Sequence, residues 1–204
     1  LSFDLSVYDV FGLLAAGGTV VMPGADLAYD ANHWAELILA EKVTIWNTVP
    51  ALMQLLVDQA AKPELLGSSL RLIMMSGDWI PLGLPDQIRR VLPKVEIISL
   101  GGATEASIWS ILYPIGGIDP SWKSIPYGKP MLNQTFHVLN QALSPCPTWV
   151  PGSLYIGGIG VAQGYWHDEQ KTNASFILHP VTGERLYRTG DLGRYLPDGN
   201  IEFL

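Results

Sequence analysis

Apolar positions in the first hundred residues alternate between two periods. Over 6–16, Val7, Val10, Phe11 and Leu14 recur at helical spacing, which predicts a helix with one apolar face, stopped by Gly17-Gly18. A short strand is predicted over 19–22. Asp30 reads as the N-cap of a helix running to Glu41, with Trp34, Leu37 and Ile38 inward. Residues 43–47, Val-Thr-Ile-Trp-Asn, read as a strand, and Pro50 opens a helix to about Ala61. The run 70–75 is continuously apolar, the mark of a strand buried on both faces. A helix over 83–92 and a buried strand over 95–100 follow. Strands and helices alternating through short links predict a mostly parallel sheet with flanking helices.

After Ile115 the pattern changes. Gly and Pro become frequent, and 135–139 and 153–156 alternate as half-buried strands do. One short helix is predicted over 168–175. Residues 192–196 and 201–204, joined by Pro197-Asp198-Gly199-Asn200, predict a β-hairpin. The expected fold class is therefore α/β: a mostly parallel sheet with flanking helices over 1–115, then a smaller β-rich lobe over 116–204.

Composition narrows the chemistry. Of 204 residues, 48% are hydrophobic and 15% charged, enough apolar mass for a sizeable core. The net charge of −7 argues against nucleic acid, since phosphate binding needs a basic face. A single cysteine, Cys146, excludes a disulfide framework. No apolar run reaches the length of a membrane span and no basic segment precedes an apolar one, so a cytoplasmic location and no membrane partner are expected. The chain lacks an initiator Met and ends on Ile201-Glu202-Phe203-Leu204 inside a predicted strand, so it is expected to be a piece of a larger protein.

In open α/β sheets ligands bind beyond the carboxyl ends of the strands. Three such ends carry chemistry: Trp46-Asn47-Thr48-Val49-Pro50, Met75-Ser76-Gly77-Asp78, and Ser99-Leu100-Gly101-Gly102-Ala103-Thr104-Glu105. Glycines let a ligand lie against backbone. Thr104 suits a phosphate contact, and Glu105 suits magnesium, which takes oxygen ligands. A glycine turn followed by a capping Thr explains the same residues without any ligand. Gly157-Gly158-Ile159-Gly160 lacks the Lys-Ser/Thr of a nucleotide P-loop. In Tyr187-Arg188-Thr189-Gly190-Asp191, a carboxylate after a glycine turn suits vicinal hydroxyls, and a plain turn fits equally well. The histidines show no metal-ligand spacing.

The segments LSFDLSVYDVFG, SLGGATEASIW, GSLYIGGIGVAQGYW and YRTGDLGRYLPDGNIEFL occur in this order. Together they resemble the adenylation domains of nonribosomal peptide synthetases, in the adenylate-forming superfamily with acyl-CoA ligases and luciferase. The resemblance covers essentially the whole chain. It implies ATP and Mg2+ as cofactors and, on a partner carrier domain, phosphopantetheine. It makes Thr104 and Glu105 the catalytic pair at the phosphates, Glu105 the metal ligand and Asp191 the holder of the ribose hydroxyls. Gly77, Ser99, Gly101, Gly102 and Phe203 complete the nucleotide site. The family's loop usually carries a Tyr that stacks on adenine and a Pro two residues on. Here those places hold Gly101 and Ala103, and Phe203 stands where Tyr is common.

The resemblance also implies a substrate. Asp4 corresponds to the anchor of an α-amino group, so the substrate is an amino acid. By motif position the pocket is Asp4, Leu5, Tyr8, Asn47, Met74, Ser76, Leu100, Ile108 and Trp109, a set similar to that of cysteine-activating members. For each residue alone core packing is an alternative, most of all for Leu5, Leu100 and Ile108. The implied partners are a peptidyl carrier domain and an upstream condensation or cyclisation domain. The family's phosphate loop would precede Leu1 and its lysine-bearing subdomain would follow Leu204, so these 204 residues alone are expected to be inactive. Two other readings stay open: an acyl-CoA ligase-like enzyme whose substrate lacks an amine, and a non-catalytic scaffold.

Overall fold

The computed structural model describes residues 3–59 and 68–204. The chain divides into two compact units, Leu1–Ile98 with Pro114–Lys123, and Ser99–Tyr113 with Ser124–Leu204.

The first unit opens with a helical stretch made of α1 (Leu5–Val7), a π-helical turn (Tyr8–Gly12) and α2 (Leu13–Ala15). Single π turns are uncommon and concentrate at functional sites. The predicted helix is present, but its apolar face is not buried: Val7, Phe11 and Leu14 are 50%, 67% and 55% exposed. A polar contact ties the stretch to the sheet instead, a hydrogen bond from Asn47 Nδ2 to Asp9 Oδ1 at 2.7 Å. The strand expected over 19–22 does not form. No strand pairs with these residues, and Pro23 has no N–H to extend a ladder.

Helix α3 (Ala31–Ala40) begins as expected. Asp30 is extended, and its Oδ1 accepts from the Asn32 and His33 N–H groups at 2.8 and 3.3 Å. Strand β1 (Ile45–Thr48), helix α4 (Pro50–Gln59), strand β2 (Leu72–Met75) and helix α5 (Leu84–Val91) follow. The last two positions of the helix expected over 50–61 lie outside the described residues. Arg89 and Arg90 occupy the last turn of α5, where cations oppose the helix dipole. β1 and β2 pair in parallel, with Asn47 opposite Met74. Ile38, Met53, Leu56, Ile73, Met75, Leu84 and Ile88 are all but fully buried and form the core of this unit.

Strand β3 (Glu96–Gly101) passes from the first unit into the second, which adds β4 (Ile111–Pro114) and β5 (Lys129–Pro130). The first sheet has the order β1-β2-β3-β4-β5 and is mostly parallel with flanking helices, β5 joining antiparallel.

The second sheet contains β6 (Gln134–Leu139), β7 (Gly152–Gly158), β8 (Phe176–Leu178), β9 (Arg185–Tyr195) and β10 (Ile201–Phe203). Its order is β10-β9-β7-β6, with β8 also on β9, and β10–β9, β9–β7, β7–β6 and β8–β9 all pair antiparallel. Helix α6 (Glu169–Ser175) precedes β8. Phe136, Val138, Leu154, Ile156, Phe176, Tyr187 and Ile201 form the core of the unit. The expected hairpin forms between β9 and β10, its turn braced by Asp198 accepting from the Asn200 N–H at 3.0 Å. β9 starts seven residues earlier than the apolar pattern indicated, at Arg185 rather than 192, because that half mixes charge and glycine into the ladder. Among the described residues no helix is long and apolar enough to cross a membrane.

The Asp30 cap gives a direct test. Asp30→Ala removes two side-chain bonds to helix N–H groups and is expected to lower stability by about 1 kcal/mol in urea unfolding. No shift in the midpoint would mean that the cap contributes nothing.

Candidate functional site

The predicted site residues fall into two sets, one in each unit. In the first unit Asp4 precedes α1, and Leu5 and Tyr8 lie on the helical stretch, Leu5 being buried. The Tyr8 ring lies over Gly12, where an added Cβ would stand 2.9 Å from the ring. Asn47 and Met74 are register partners, so they share a face of the sheet, and Ser76, two residues beyond Met74, continues that face. Met74 and Ser76 are 6% and 3% exposed. Asn47 Oδ1 and Ser76 Oγ are buried without a hydrogen-bond partner. Gly77 follows with φ +85°. Asp9, which sequence reasoning passed over, is drawn in by its bond to Asn47. Burial raises its pKa, and the Asn47 bond opposes the rise.

In the second unit Ser99, Leu100 and Gly101 end β3, and all are buried. The chain then makes a tight loop. Gly101 O accepts from Ser110 N–H at 2.8 Å, and Ala103 O accepts from Ala106 and Ile108 N–H at 2.9 and 3.2 Å. Gly102 faces the Ile108 carbonyl so closely that a Cβ would stand 2.4 Å from its oxygen. Thr104–Ala106 form one 3-10 turn, with Thr104 exposed. Ser107 and Ile108 then take φ +61° and +76°. The Trp109 N–H to Ser107 O bond of 3.0 Å closes a γ-turn over Ile108. A positive φ at a β-branched residue is strained, and such strain gathers at ligand sites. The loop thus sets Ile108 and Trp109 by backbone geometry, which no apolar pattern could show.

An aromatic ring missed in the sequence organises this loop. A Cβ at Gly101 would lie 1.8 Å from the Tyr127 ring, so Tyr127 fills the space that a side chain at 101 would need. Its hydroxyl is hydrogen-bonded to the Gly102 backbone. The ring meets Phe136 and Phe203 edge-on, at centroid distances of 5.5 and 5.4 Å. Burial, then the nearby Asp191 charge, push its pKa up to about 12. Where the resembling family places a Tyr at position 101, this chain has Gly101 and brings a tyrosine from elsewhere.

Glu105 is held by two more tyrosines. Tyr165 Oη donates to Glu105 Oε1 at 2.6 Å, and the Tyr187 hydroxyl bonds to the same carboxylate. Lys171, on α6, sits 4.1 Å over the Tyr165 ring. Burial raises the Glu105 pKa, but these bonds, its own N–H and the Lys171 charge outweigh it and leave the pKa below the usual range. The opposite effect appears at Tyr187, whose pKa is raised by burial, by Tyr165 and by the Glu105 charge. The glycine run 157–160 and the residues after it support the turn. Ser107 Oγ donates to Gly160 O at 2.8 Å, and Ala162 N–H donates to Glu105 O at 2.8 Å. An ionised carboxylate beside an exposed threonine is a donor set that suits a hard cation such as Mg2+.

Asp191 is not on a simple turn. Ser153 pairs with Leu192 and Tyr155 with Arg188, so Thr189, Gly190 and Asp191 bulge opposite Leu154. Thr189 Oγ1 donates to Leu154 O at 3.1 Å and accepts from Asp191 N–H at 3.0 Å, which fixes the bulge. Gly190 takes φ +90°, and Asp191 is exposed. Phe203 pairs with Gly193 across the β9–β10 ladder. Tyr165 and Tyr187 lie inside two of the quoted motif segments. For Tyr165, a hydroxyl-bearing ring directly after Gly164 is a signal that could have found it; Tyr187, between Leu186 and Arg188, carries no such mark.

Residues 1–166 match the AMP-binding enzyme family. Bacitracin synthase 1 of Bacillus licheniformis is 53% identical over the whole chain, and pyochelin synthetase PchF of Pseudomonas aeruginosa is 50% identical. The chain spans only 4% and 11% of these proteins' own length. Among solved structures, the nonribosomal peptide synthetase FmoA3 bound to AMPPNP superposes on the whole chain with TM-score 0.95 at 48% identity, over 22% of the FmoA3 chain. FmoA3 is also known with α-methyl-L-serine-AMP bound. PA1221, which contains adenylation and PCP domains, matches with TM-score 0.86 at 27% identity, over 41% of its chain. The chain belongs to the AMP-binding enzyme family, and its architecture is that of the nonribosomal peptide synthetase adenylation domain.

Two outcomes follow from the geometry. Gly101→Ala drives a methyl into the Tyr127 ring and is expected to cost on the order of 1–3 kcal/mol. In a double-mutant cycle with Tyr127→Leu, read by urea unfolding, the combined cost should be less than the sum. Additive penalties would show that the two do not compete for space. For Glu105, a lowered folded pKa means its stabilising contribution is full above the unfolded value of 4.5 and is lost as pH falls through the folded value. Tyr165→Phe is expected to raise the Glu105 pKa in an NMR titration and to weaken that acid-side loss of stability. An unmoved pKa would exclude Tyr165 as the cause.

Proposed function

We propose that this chain is part of a domain that joins an α-amino acid to ATP, forming aminoacyl-AMP and releasing pyrophosphate. The acyl group then passes to the phosphopantetheine thiol of a carrier domain. The observation that carries this reading is the Glu105 carboxylate, held ionised by Tyr165 on a glycine loop of an AMP-binding chain. In this reading 1–115 and 116–204 are two lobes of one adenylation domain.

The residues take the following roles. Asp4 pairs with the substrate ammonium. Thr104 contacts the phosphates and Glu105 holds Mg2+, which when bound offsets charge developing on them. Asp191 accepts from both ribose hydroxyls. Gly77, Ser99, Gly101, Gly102 and Phe203 border the nucleotide, with Tyr127 adding aromatic surface beneath the loop. Leu5, Tyr8, Asn47, Met74, Ser76, Leu100, Ile108 and Trp109 surround the amino-acid side chain. Tyr8 and Trp109 take up volume, Asp4 is the one charged member of the set, and Asn47 and Ser76 add polarity. The substrate is therefore small, and L-cysteine fits best. FmoA3's adenylate of a serine analogue supports a small side chain with a polar hydrogen. The carrier domain of PA1221 supports a carrier partner, with a condensation or cyclisation domain upstream.

Pyrophosphate exchange by the complete protein against all proteinogenic amino acids tests the proposal. Cysteine should rank first, and aromatic and charged side chains should be inactive. Glu105→Gln should slow adenylation more than it weakens AMP binding. Asp191→Ala should raise the ATP KM, since each charge-assisted bond lost is worth roughly 1.5–3 kcal/mol. An aromatic or charged favourite removes the substrate assignment, and normal kinetics in both variants removes the nucleotide-site assignment.

A further inference from the structure

The pair Asp9 and Asn47 carries an inference about selectivity that rests on the amino-acid-activating reading above. A buried amide oxygen with no partner is unusual, because buried polar atoms nearly always find one. Asn47 Nδ2 donates to Asp9 Oδ1 at 2.7 Å, and Asn47 Oδ1 is buried with no partner. A carboxylate accepts but does not donate, so Asp9 determines which end of the amide faces it and turns the carbonyl oxygen away. Ser76 Oγ, 3% exposed and also unpartnered, stands on the same sheet face at the end of the neighbouring strand. Ser76 follows directly on β2, so the two bare oxygens belong to residues at adjoining strand ends, where α/β sheets bind ligands. Met74, the register partner of Asn47, lies on the same face.

We propose that Asp9 is a positioning residue for side-chain selection: it orients the Asn47 amide so that Oδ1, beside Ser76 Oγ, accepts a hydrogen bond from a thiol or hydroxyl on the substrate. Asp9 does not touch the substrate in this arrangement and acts through Asn47. A site built around a waiting acceptor rejects an isostere that lacks the donor, because the buried oxygen is then left bare. The π turn at Tyr8–Gly12 belongs to the same device, since Asp9 lies within it.

The test compares amino acids that differ by a donor against a methyl group: cysteine with 2-aminobutyrate, and threonine with valine. Pyrophosphate exchange is measured for the complete protein, for Asp9→Asn, for Asn47→Leu and for the double variant. The unaltered protein should favour the donor member of whichever pair it activates. Asp9→Asn should lower that preference roughly five- to tenfold, through the KM of the donor member, with the ATP KM unchanged. Asn47→Leu should lower it by a similar factor, and the double variant should lower it no further, because both act on one acceptor. A preference retained in Asp9→Asn overturns the inference. If that variant does not fold, a preference retained in Asn47→Leu overturns it equally. Cysteine as favourite with an unchanged preference sinks the Asp9 role alone. A different favourite with the preference still lost in Asp9→Asn sinks the cysteine assignment alone, and no exchange with any amino acid sinks both.

Discussion

Two atoms cannot occupy one place, and the second unit is organised around that fact at Gly101. The Tyr127 ring stands where a side chain at 101 would begin. From there it bonds to the Gly102 backbone and packs edge-on against Phe136 of β6 and Phe203 of β10. One ring therefore ties the end of β3 to both sides of the antiparallel sheet. It also brings the phenol close enough to Asp191 for that charge to be felt. Gly101 is needed for this packing, and Gly102 for the close approach of the Ile108 carbonyl.

The electrostatics around Glu105 follow a related logic. A half-buried carboxylate would ordinarily drift toward its neutral form, because burial penalises charge. Phenolic hydroxyls from Tyr165 and Tyr187 and the cation of Lys171 reverse that drift. They come from three separate elements: the loop after β7, strand β9 and helix α6. Its pKa stays below the usual range only while those elements remain packed, so its acidity depends on the fold of the whole unit. The γ-turn at Ile108 and the bulge at Asp191 are other places where the backbone departs from regular geometry, and both carry predicted site residues.

In the first unit the helical stretch buries Leu5 and adds a polar contact, while most of its expected apolar stripe is exposed. The helical stretch over 5–15 meets the sheet through Asp9 and Asn47, while Val7, Phe11 and Leu14 remain exposed. The parallel pairing of β1 and β2 brings Asn47, Met74 and Ser76 onto one face although they are far apart in sequence.

Much of this was legible in the residues themselves. Periodicity located α3, α4, α5, β1, β2 and β3, because local hydrogen bonding and alternation leave a direct mark on apolar spacing. Four ordered segments sufficed for the family, because glycines, threonine and carboxylates at those places serve close approach and charge. The residues that adjust the site were not legible, because their roles come from partners distant in the chain. Tyr127 matters through Gly101, Tyr165 through Glu105 and Asp9 through Asn47, and each pair is joined only by folding. The strand expected over 19–22 failed for the same reason: a strand needs a neighbour to pair with, and a pattern along one chain cannot supply it. What the sequence determined by itself was the elements, the family and the kinds of group at the strand ends. The tertiary structure alone decided which oxygen is left bare, which carboxylate has its pKa lowered and which ring fills the space at a glycine, since each depends on distances across the fold.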